Sequence, residues 1–247
     1  MFDQLLHEYL RALMAPAHRV GPFLVSFDAH DAGLFRNYAV PDDTTVPTQK
    51  EVDELVAAFT ERGRTPRFEY LPDLCPEVEP ALLAAGFTVE HRLPIMTCPP
   101  TEVRSRPAPP EVELLLAHSD EQLREVAEAC NEAYLQPGVT DHDVARLRRT
   151  LDRGALVVLA ADRATGRGVG GGLCGAPHKG VSELAAIGVR APFRRRGIAT
   201  AMTGLLTRSC PAAGISTPFL TPEAEPEKCL YEAIGYRQVT EILHISR

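Results

Sequence analysis

The sequence predicts an α/β fold built from two successive series of strands and helices. Short apolar runs with strand character alternate along the chain with segments whose apolar residues recur at helical spacing. Five prolines between Cys98 and Pro110 interrupt this alternation and predict a linker or an extended crossover. A chain of 247 residues can bury one large core or two small ones. We therefore predict one domain over residues 1–98, a linker over 99–110 and a second domain over 111–247.

The first series is predicted to contain three helices. From Val52 to Phe59, apolar residues recur at i, i+3, i+4 and i+7, which is the spacing of one helix face. Gly86 directly follows the third helix and is predicted to end it. The predicted helices span residues 3–14, 51–62 and 77–85, and the predicted strands span 23–27, 37–40, 67–71 and 86–96.

The second series is predicted to run strand, helix, helix, three strands, helix, strand, helix, strand. Ser119 with Gln122 three residues later is typical of a capping box, so the first helix begins there. Apolar residues from Ile198 to Leu206 recur at helical spacing and predict the third helix. The predicted strands span 112–116, 155–161, 169–176, 182–189, 216–220 and 236–245; the other two helices span 141–152 and 226–234.

The turn before that third helix has the composition of an anion-binding site. The first N–H groups of a helix have no intrahelical partner, and the helix dipole makes that end positive. Gly197 and Ala199 have almost no side chain, so a phosphate can approach the backbone. Arg194, Arg195 and Arg196 add charge and donors beside these amides. An ordinary arginine-rich surface turn before a core helix is the alternative.

The turn reads Arg194-x-x-Gly197-x-Ala199 and follows an apolar strand that ends Ile187-Gly188-Val189. This arrangement resembles the acetyl-CoA-binding segment of the GCN5-related N-acetyltransferases (GNAT superfamily). The element order from residue 112 is also that of a complete GNAT domain. The resemblance implies a mixed, mostly antiparallel sheet flanked by helices. It also implies acetyl-CoA as cosubstrate, with its pyrophosphate on the turn and its pantetheine arm along the strand edge. The implied cofactor-binding residues are Ile187, Gly188, Val189, Arg194, Arg195, Arg196, Gly197, Ile198, Ala199 and Thr200.

A weaker internal similarity links the two halves. Residues 81–87 and 230–236 both predict a helix, a glycine stop, an aromatic residue and a strand. The upstream copy has no Arg-x-x-Gly-x-Ala turn, and Leu82 stands where Tyr231 stands downstream. We interpret the first domain as a degenerate, partial GNAT-like half without cofactor. Coincidence is the alternative, because a helix ended by glycine and an aromatic residue is common.

Acetyl transfer to an amine needs a base, because an alkylammonium has a pKa of about 10. Glu183 lies four residues before Ile187, and even spacing puts both side chains on one face of a regular strand. Its position also matches the general-base glutamate of part of the family. A solvent-facing or ion-paired acid is the alternative, and a water molecule or His178 could then act as the base.

Tyr231 is the candidate catalytic acid. It lies in Leu230-Tyr231-x-x-x-Gly235-Tyr236, which resembles a family segment whose tyrosine hydroxyl reaches the sulfur of CoA. A phenol can donate a proton to a developing thiolate at neutral pH. The alternative is an aromatic residue on the core face of the helix. One departure affects the cofactor contacts: this chain has Thr221-Pro222-Glu223-Ala224 where the family often has an asparagine.

Composition excludes several classes of partner. A net charge of −7 argues against general binding to nucleic acid or to a membrane surface. The N-terminal residues include acids and no long apolar run, so we expect no signal peptide, no membrane span and a cytoplasmic location. The six cysteines have no metal-site spacing, so we expect reduced thiols and no metal. Homodimer formation is a further hypothesis, and no feature of the sequence bears on it.

Three functional hypotheses follow. The first is an acyltransferase, an acetyl-CoA-dependent N-acetyltransferase whose acceptor is a primary amine of a small molecule, peptide or protein, attacking directly in a ternary complex. The second is a non-catalytic acyl-CoA sensor or partner-binding module. The third is a tandem GNAT enzyme of the mycothiol-synthase type.

Overall fold

The structure, a computed structural model, describes residues 2–14, 17–104 and 106–247. Ser105 of the predicted linker, and Met1, Ala15 and Pro16 of the predicted first domain, lie outside the described residues. The helices are α1 (Phe2–Ala12), α2 (Gln49–Thr60), α3 (Val78–Ala84), α4 (Asp120–Ala133), α5 (Asp141–Asp152), α6 (Ile198–Ser209) and α7 (Glu225–Ala233). The strands are β1 (Ala17–Val20), β2 (Phe23–Ser26), β3 (Ala39–Pro41), β4 (Arg67–Tyr70), β5 (Thr88–Thr97), β6 (Val112–Leu116), β7 (Leu156–Asp162), β8 (Gly168–Cys174), β9 (Val181–Val189), β10 (Thr217–Leu220) and β11 (Arg237–Ser246).

The chain divides into two compact units, Met1–Ile95 with Gln238–Arg247 and Met96–Arg237. In the first unit the strand order is β1-β2-β3-β4-β11-β5. The unit also contains Gln238–Arg247, which the sequence prediction placed in the second domain. These residues belong to the first unit because β11 pairs with β4, with Leu243 opposite Tyr70 and Ser246 opposite Arg67. Strand β1 was not predicted; it is a mostly exposed edge strand without the alternating apolar pattern.

In the second unit, β6 to β9 are successively antiparallel, and β9 and β10 are parallel. Phe219 of β10 pairs antiparallel with Thr97, the last residue of β5. This arrangement confirms the predicted element order and the mixed, mostly antiparallel sheet. A parallel pair needs a crossover, and α6 supplies it between β9 and β10.

Helices cover both faces of the second unit's sheet. Leu123 of α4 and Val144 of α5 belong to one core cluster, whereas Met202 of α6 and Ile234 after α7 belong to the other. The described residues between β5 and β6 form neither helix nor strand. They are nevertheless packed: Val103 and Ala108 contact the α6-side core, so this segment is part of the unit's structure.

The glycine-rich strand β8 allows α4 to pack closely against the sheet. A Cβ atom on Gly171 would lie 2.9 Å from Cγ1 of Val126 and 3.2 Å from its carbonyl oxygen. On the opposite face, a Cβ on Gly170 would lie 2.9 Å from the carbonyl oxygen of Gly188. Backbone atoms cannot move aside as a flexible side chain can, so these glycines are required for packing.

We expect Gly171→Ala to lower the free energy of unfolding by about 1–3 kcal/mol, because it overpacks the interface between α4 and the sheet. Gly138→Ala is the matched control, since a Cβ there meets no atom within 4 Å. The control is expected to stabilise the protein slightly, by up to about 1 kcal/mol, through reduced entropy of the unfolded chain. Denaturant titration of both variants measures the difference, and equal effects would contradict the packing argument.

The helix–glycine–aromatic similarity has the same local geometry in both units. Gly86 after α3 has φ +84°, and Gly235 after α7 has φ +110°. The aromatic residues that follow, Phe87 and Tyr236, are both buried. In both units a helix also joins two parallel strands: α2 lies between β3 and β4, as α6 lies between β9 and β10.

Candidate active site

The second unit contains an opening where β9 and β10 separate. Their parallel pairing covers only Thr217–Phe219 with Val181–Glu183. Leu220, the next residue of β10, still pairs with Met96 of β5 on the other edge but has no partner on β9. Among the described residues, the later part of β9 therefore pairs with β8 on one side and with no strand on the other. The strand segment predicted to pair with pantetheine, residues 187–189, lies along this open edge.

A β-bulge at Ala186 changes which side chains share a face of β9. Gly171 of β8 pairs with Gly188, and Leu173 pairs with Ala185. An advance of two residues along β8 therefore matches an advance of three along β9, which leaves one extra residue on β9. Ala186 lies in this interval and has φ +54°. Leu184 and Ile187 consequently pack in the same core cluster. Because neighbouring residues alternate, Glu183 lies on the opposite face from Ile187. The predicted shared face is wrong, and the bulge is the reason.

The turn into α6 leaves the start of this helix without a side-chain cap. Gly197 occupies the N-cap position with φ +82°, and no side chain bonds to the first amides. Helices α4 and α5, in contrast, begin with complete capping boxes at Ser119 and Thr140. A Cβ on Gly197 would meet no atom within 4 Å. The amides that begin α6 therefore have no side-chain partner among the described residues, and they lie at the positive end of a helix dipole next to the open space at Gly197.

The three arginines of the turn have different surroundings. Arg194 donates from Nε to the Val189 carbonyl at 2.9 Å and from an Nη to the Ala133 carbonyl at 2.8 Å, so its side chain holds the turn against α4. Arg196 bonds to the Pro192 carbonyl and lies over the Phe193 ring. Arg195 is exposed, has φ +64°, and its guanidinium has no partner among the described residues. Arg195 is thus the most accessible of the three to an anion.

Glu183 is half-buried where β9 and β10 begin to separate. The Thr221 hydroxyl donates to Oε1 of Glu183 at 3.4 Å. Thr221 stood out in the sequence only as part of a departure from the family pattern, and its contact with Glu183 was not predicted. His178 lies in the tight turn before β9, where its backbone exchanges two hydrogen bonds with Val181.

Tyr231, on α7, packs its half-buried ring against the α6-side core, 6.0 Å from the ring of Tyr236. Burial raises the pKa of the Tyr231 phenol above its ordinary value, and the charge of Glu227 and the neighbouring Tyr134 raise it further. The phenol therefore keeps its proton at neutral pH. Such a group can donate a proton and cannot serve as a base.

The C-terminal end of α4 contacts the candidate cofactor strand, and this contact was not predicted. The Tyr134 hydroxyl donates to the Ile187 carbonyl at 3.0 Å, and the Cys130 thiol donates to the Ala186 carbonyl at 3.4 Å. Arg190, which is 5% exposed, pairs with Glu132 at 2.9 Å. Gly188 was the available signal, since only a residue without a side chain allows α4 so close to the strand.

The helix of the first unit that corresponds to α6 has a closed start. Helix α2, which corresponds to α6 in the internal similarity, begins with a complete capping box of Thr48 and Glu51. The Glu51 carboxylate accepts from the Thr48 N–H at 2.8 Å, and these bonds lower the pKa of Glu51. A negative charge therefore already lies at this helix end. It disfavours a second anion there.

No group of three or more His, Cys, Asp or Glu side chains could hold a metal ion in the part of the chain that the structure covers. Within the same residues, no helix is long and apolar enough to cross a bilayer.

Comparison with known proteins identifies the fold. No protein-family model matches the chain. No curated protein matches it either. A GCN5-related N-acetyltransferase from Kribbella flavida is similar over 99% of this chain and 95% of its own, with 19% identity and a TM-score of 0.79. One from Sphaerobacter thermophilus covers 92% and 76%, with 15% identity and a TM-score of 0.69. A tandem GNAT protein from the clavulanic acid biosynthesis pathway covers 91% and 78%, with 11% identity and a TM-score of 0.65. The chain therefore has the GNAT fold.

Proposed function

We propose that this chain is an acetyl-CoA-dependent N-acetyltransferase that acts on a primary amine by direct attack in a ternary complex. The observation that carries the proposal is the uncapped start of α6 beside the open edge of β9. The first feature suits a pyrophosphate, because backbone amides and a helix dipole converge on open space. The second suits an extended arm that carries amides, because a strand edge offers donors and acceptors at regular spacing.

In this proposal, Gly197, Ile198, Ala199 and Thr200 provide backbone amides to the pyrophosphate, and Arg195 and Arg196 provide charge. Ile187, Gly188 and Val189 provide the strand edge to pantetheine. Arg194 acts indirectly, because its guanidinium is bound to the Val189 and Ala133 carbonyls and so fixes the shape of the turn.

Glu183 and Tyr231 have opposite roles in proton transfer. Acetyl-CoA supplies an activated acetyl thioester. Glu183 accepts a proton from the acceptor ammonium, directly or through water, and the freed amine nitrogen bonds to the acetyl carbon. As the carbon–sulfur bond breaks, Tyr231 donates its proton to the departing sulfur. The second proton that the nitrogen loses on becoming an amide passes to water, and Tyr231 regains a proton from water before the next turnover. Tyr231 has a proton to donate because a phenol is protonated at neutral pH, and the charge that develops on the sulfur as the bond breaks is what draws this proton.

The test combines binding with turnover. We expect calorimetric titration with acetyl-CoA to show one site per chain, because Glu51 already caps the equivalent helix of the first unit. We then expect free CoA thiol to be released in the presence of some member of a broad amine panel, with the acetylated product identified by mass. Absence of binding would refute the proposal. Binding without thiol release across the panel would favour an acyl-CoA sensor, and two sites per chain would favour a fully functional tandem enzyme.

The base assignment predicts a pH-dependent defect. We expect Glu183→Gln to lower the rate most at low pH, where the acceptor amine is mainly protonated, and to recover partly as pH rises. Glu113→Gln, at an exposed acid of β6, controls for the loss of one carboxylate. The measurement is kcat/KM for the amine across a pH series. A defect of constant size at every pH would assign Glu183 a structural role and make His178 the next residue to test.

A further inference from the structure

Tyr134 covers the strand edge that the proposed function gives to pantetheine. Its hydroxyl donates to the Ile187 carbonyl at 3.0 Å. Its ring lies on the adjacent backbone, since a Cβ on Gly188 would be 3.2 Å from Cε2 of Tyr134. The hydroxyl thus holds an acceptor that an incoming amide would use, and the ring fills the space beside it.

We infer that Tyr134 is a positioning residue that closes the pantetheine subsite of the free protein and releases the Ile187 carbonyl when the cofactor arm enters. This inference rests on the proposed function, because it requires that an acyl-CoA binds along β9. One hydrogen bond is exchanged for another at the same carbonyl, so the net cost of entry is moderate. The pyrophosphate site at α6 is not involved in this exchange.

The residues at the C-terminal end of α4 can rearrange with a small loss of free energy. Gln136 donates to the Asn131 carbonyl and Leu135 to the Glu132 carbonyl, which is the pattern of a Schellman motif. The left-handed position of this motif usually holds glycine, but here it holds Leu135 with φ +55°. This side chain is also 93% exposed, so the leucine gains little from its present position. A rearrangement of residues 134–136 would relieve the backbone strain and sacrifice few apolar contacts.

The position of Tyr134 also places a second phenol near the candidate acid. Burial raises the pKa of Tyr134 to about 12, with smaller contributions from the neighbouring Cys130 and from the charges of Glu227 and Glu223. Tyr134 in turn contributes to the raised pKa of Tyr231. When Tyr134 leaves the strand, the surroundings of the Tyr231 hydroxyl therefore change as well, which couples cofactor entry to the candidate acid.

The test removes the hydroxyl and keeps the ring. We expect Tyr134→Phe to bind acetyl-CoA about two- to tenfold more tightly than the wild type, because one competing hydrogen bond is lost. The affinity for the phosphorylated ADP half of CoA, which lacks pantetheine, should stay unchanged. Tyr231→Phe removes a hydroxyl from the same opening and should not tighten acetyl-CoA binding. Isothermal titration of all three proteins with both ligands measures these affinities.

The outcomes separate the two proposals. If the wild type binds neither ligand, the proposed function fails and this inference fails with it. If the wild type binds both ligands and Tyr134→Phe binds acetyl-CoA equally or more weakly, the inference alone is overturned. An equal gain for both ligands would also overturn it, because the effect would then lie at the turn. In NMR spectra of protein with ring-labelled tyrosine, the signal of Tyr134 is the one that is missing from Tyr134→Phe. Adding acetyl-CoA should shift this signal, whereas adding the nucleotide half alone should leave it in place.

Discussion

Tyr231→Phe is expected to lower kcat by roughly ten- to ten-thousand-fold, the range typical for loss of a general acid. The Michaelis constant for acetyl-CoA should change little, because the substitution removes an interaction that forms as the sulfur departs. The ring remains, so its packing against the core and against Tyr236 should be preserved. Steady-state kinetics with an acceptor found in the amine panel measures both constants.

Tyr236→Phe is the matched control. Tyr236 lies five residues later, is fully buried, and its hydroxyl is hydrogen-bonded to the Thr207 hydroxyl at 2.7 Å. Its loss should lower stability, by about 0.5–1.5 kcal/mol for one hydrogen bond, and leave kcat unchanged. If Tyr231→Phe retains full kcat where chemistry limits turnover, Tyr231 is not the acid.

The fold was largely predictable because local signals agree with tertiary structure in most elements. The capping box predicted at Ser119 begins α4, α5 spans the predicted residues 141–152, and the order of elements from residue 112 is confirmed. Grouping of β11 with the first unit was not predictable, because a strand's partners depend on long-range pairing and its own alternation does not identify them. Strand β1 was missed for a related reason: an exposed edge strand has no apolar face to reveal it.

The candidate site was predicted in part. The helix start at Gly197, with arginines before it, was predicted from the sequence. Anion binding at this start stays a prediction. The bulge was not predicted, since Ala186 adopts φ +54° although alanine carries no signal for that conformation. The contact of the Tyr134 hydroxyl was not predicted, because it depends on how close the end of α4 comes to β9. The missed features are therefore those created by packing between elements distant in sequence.

The second large effect is expected on acetyl-CoA binding, from a substitution in the turn before α6. Gly197→Glu places a carboxylate where the pyrophosphate would lie, so charge repulsion and lost backbone access should act together. The wild type should gain about 2.7 kcal/mol of apparent stability at an acetyl-CoA concentration one hundred times its Kd. The variant should gain almost none at that concentration. Thermal unfolding with and without ligand measures this difference.

The substitution also introduces backbone strain, because Gly197 has φ +82°. The control variant must therefore carry the same kind of strain. Gly214→Glu meets this requirement. Gly214 has φ +72°, a Cβ there meets no atom within 4 Å, and it lies beyond the opposite end of α6. Both variants should lose intrinsic stability because each puts a side chain in the left-handed region. Only Gly197→Glu should lose the response to acetyl-CoA, because only its charge lies at the positive end of the helix. A full response in Gly197→Glu would place the cofactor elsewhere, and a lost response in both would trace the effect to destabilisation.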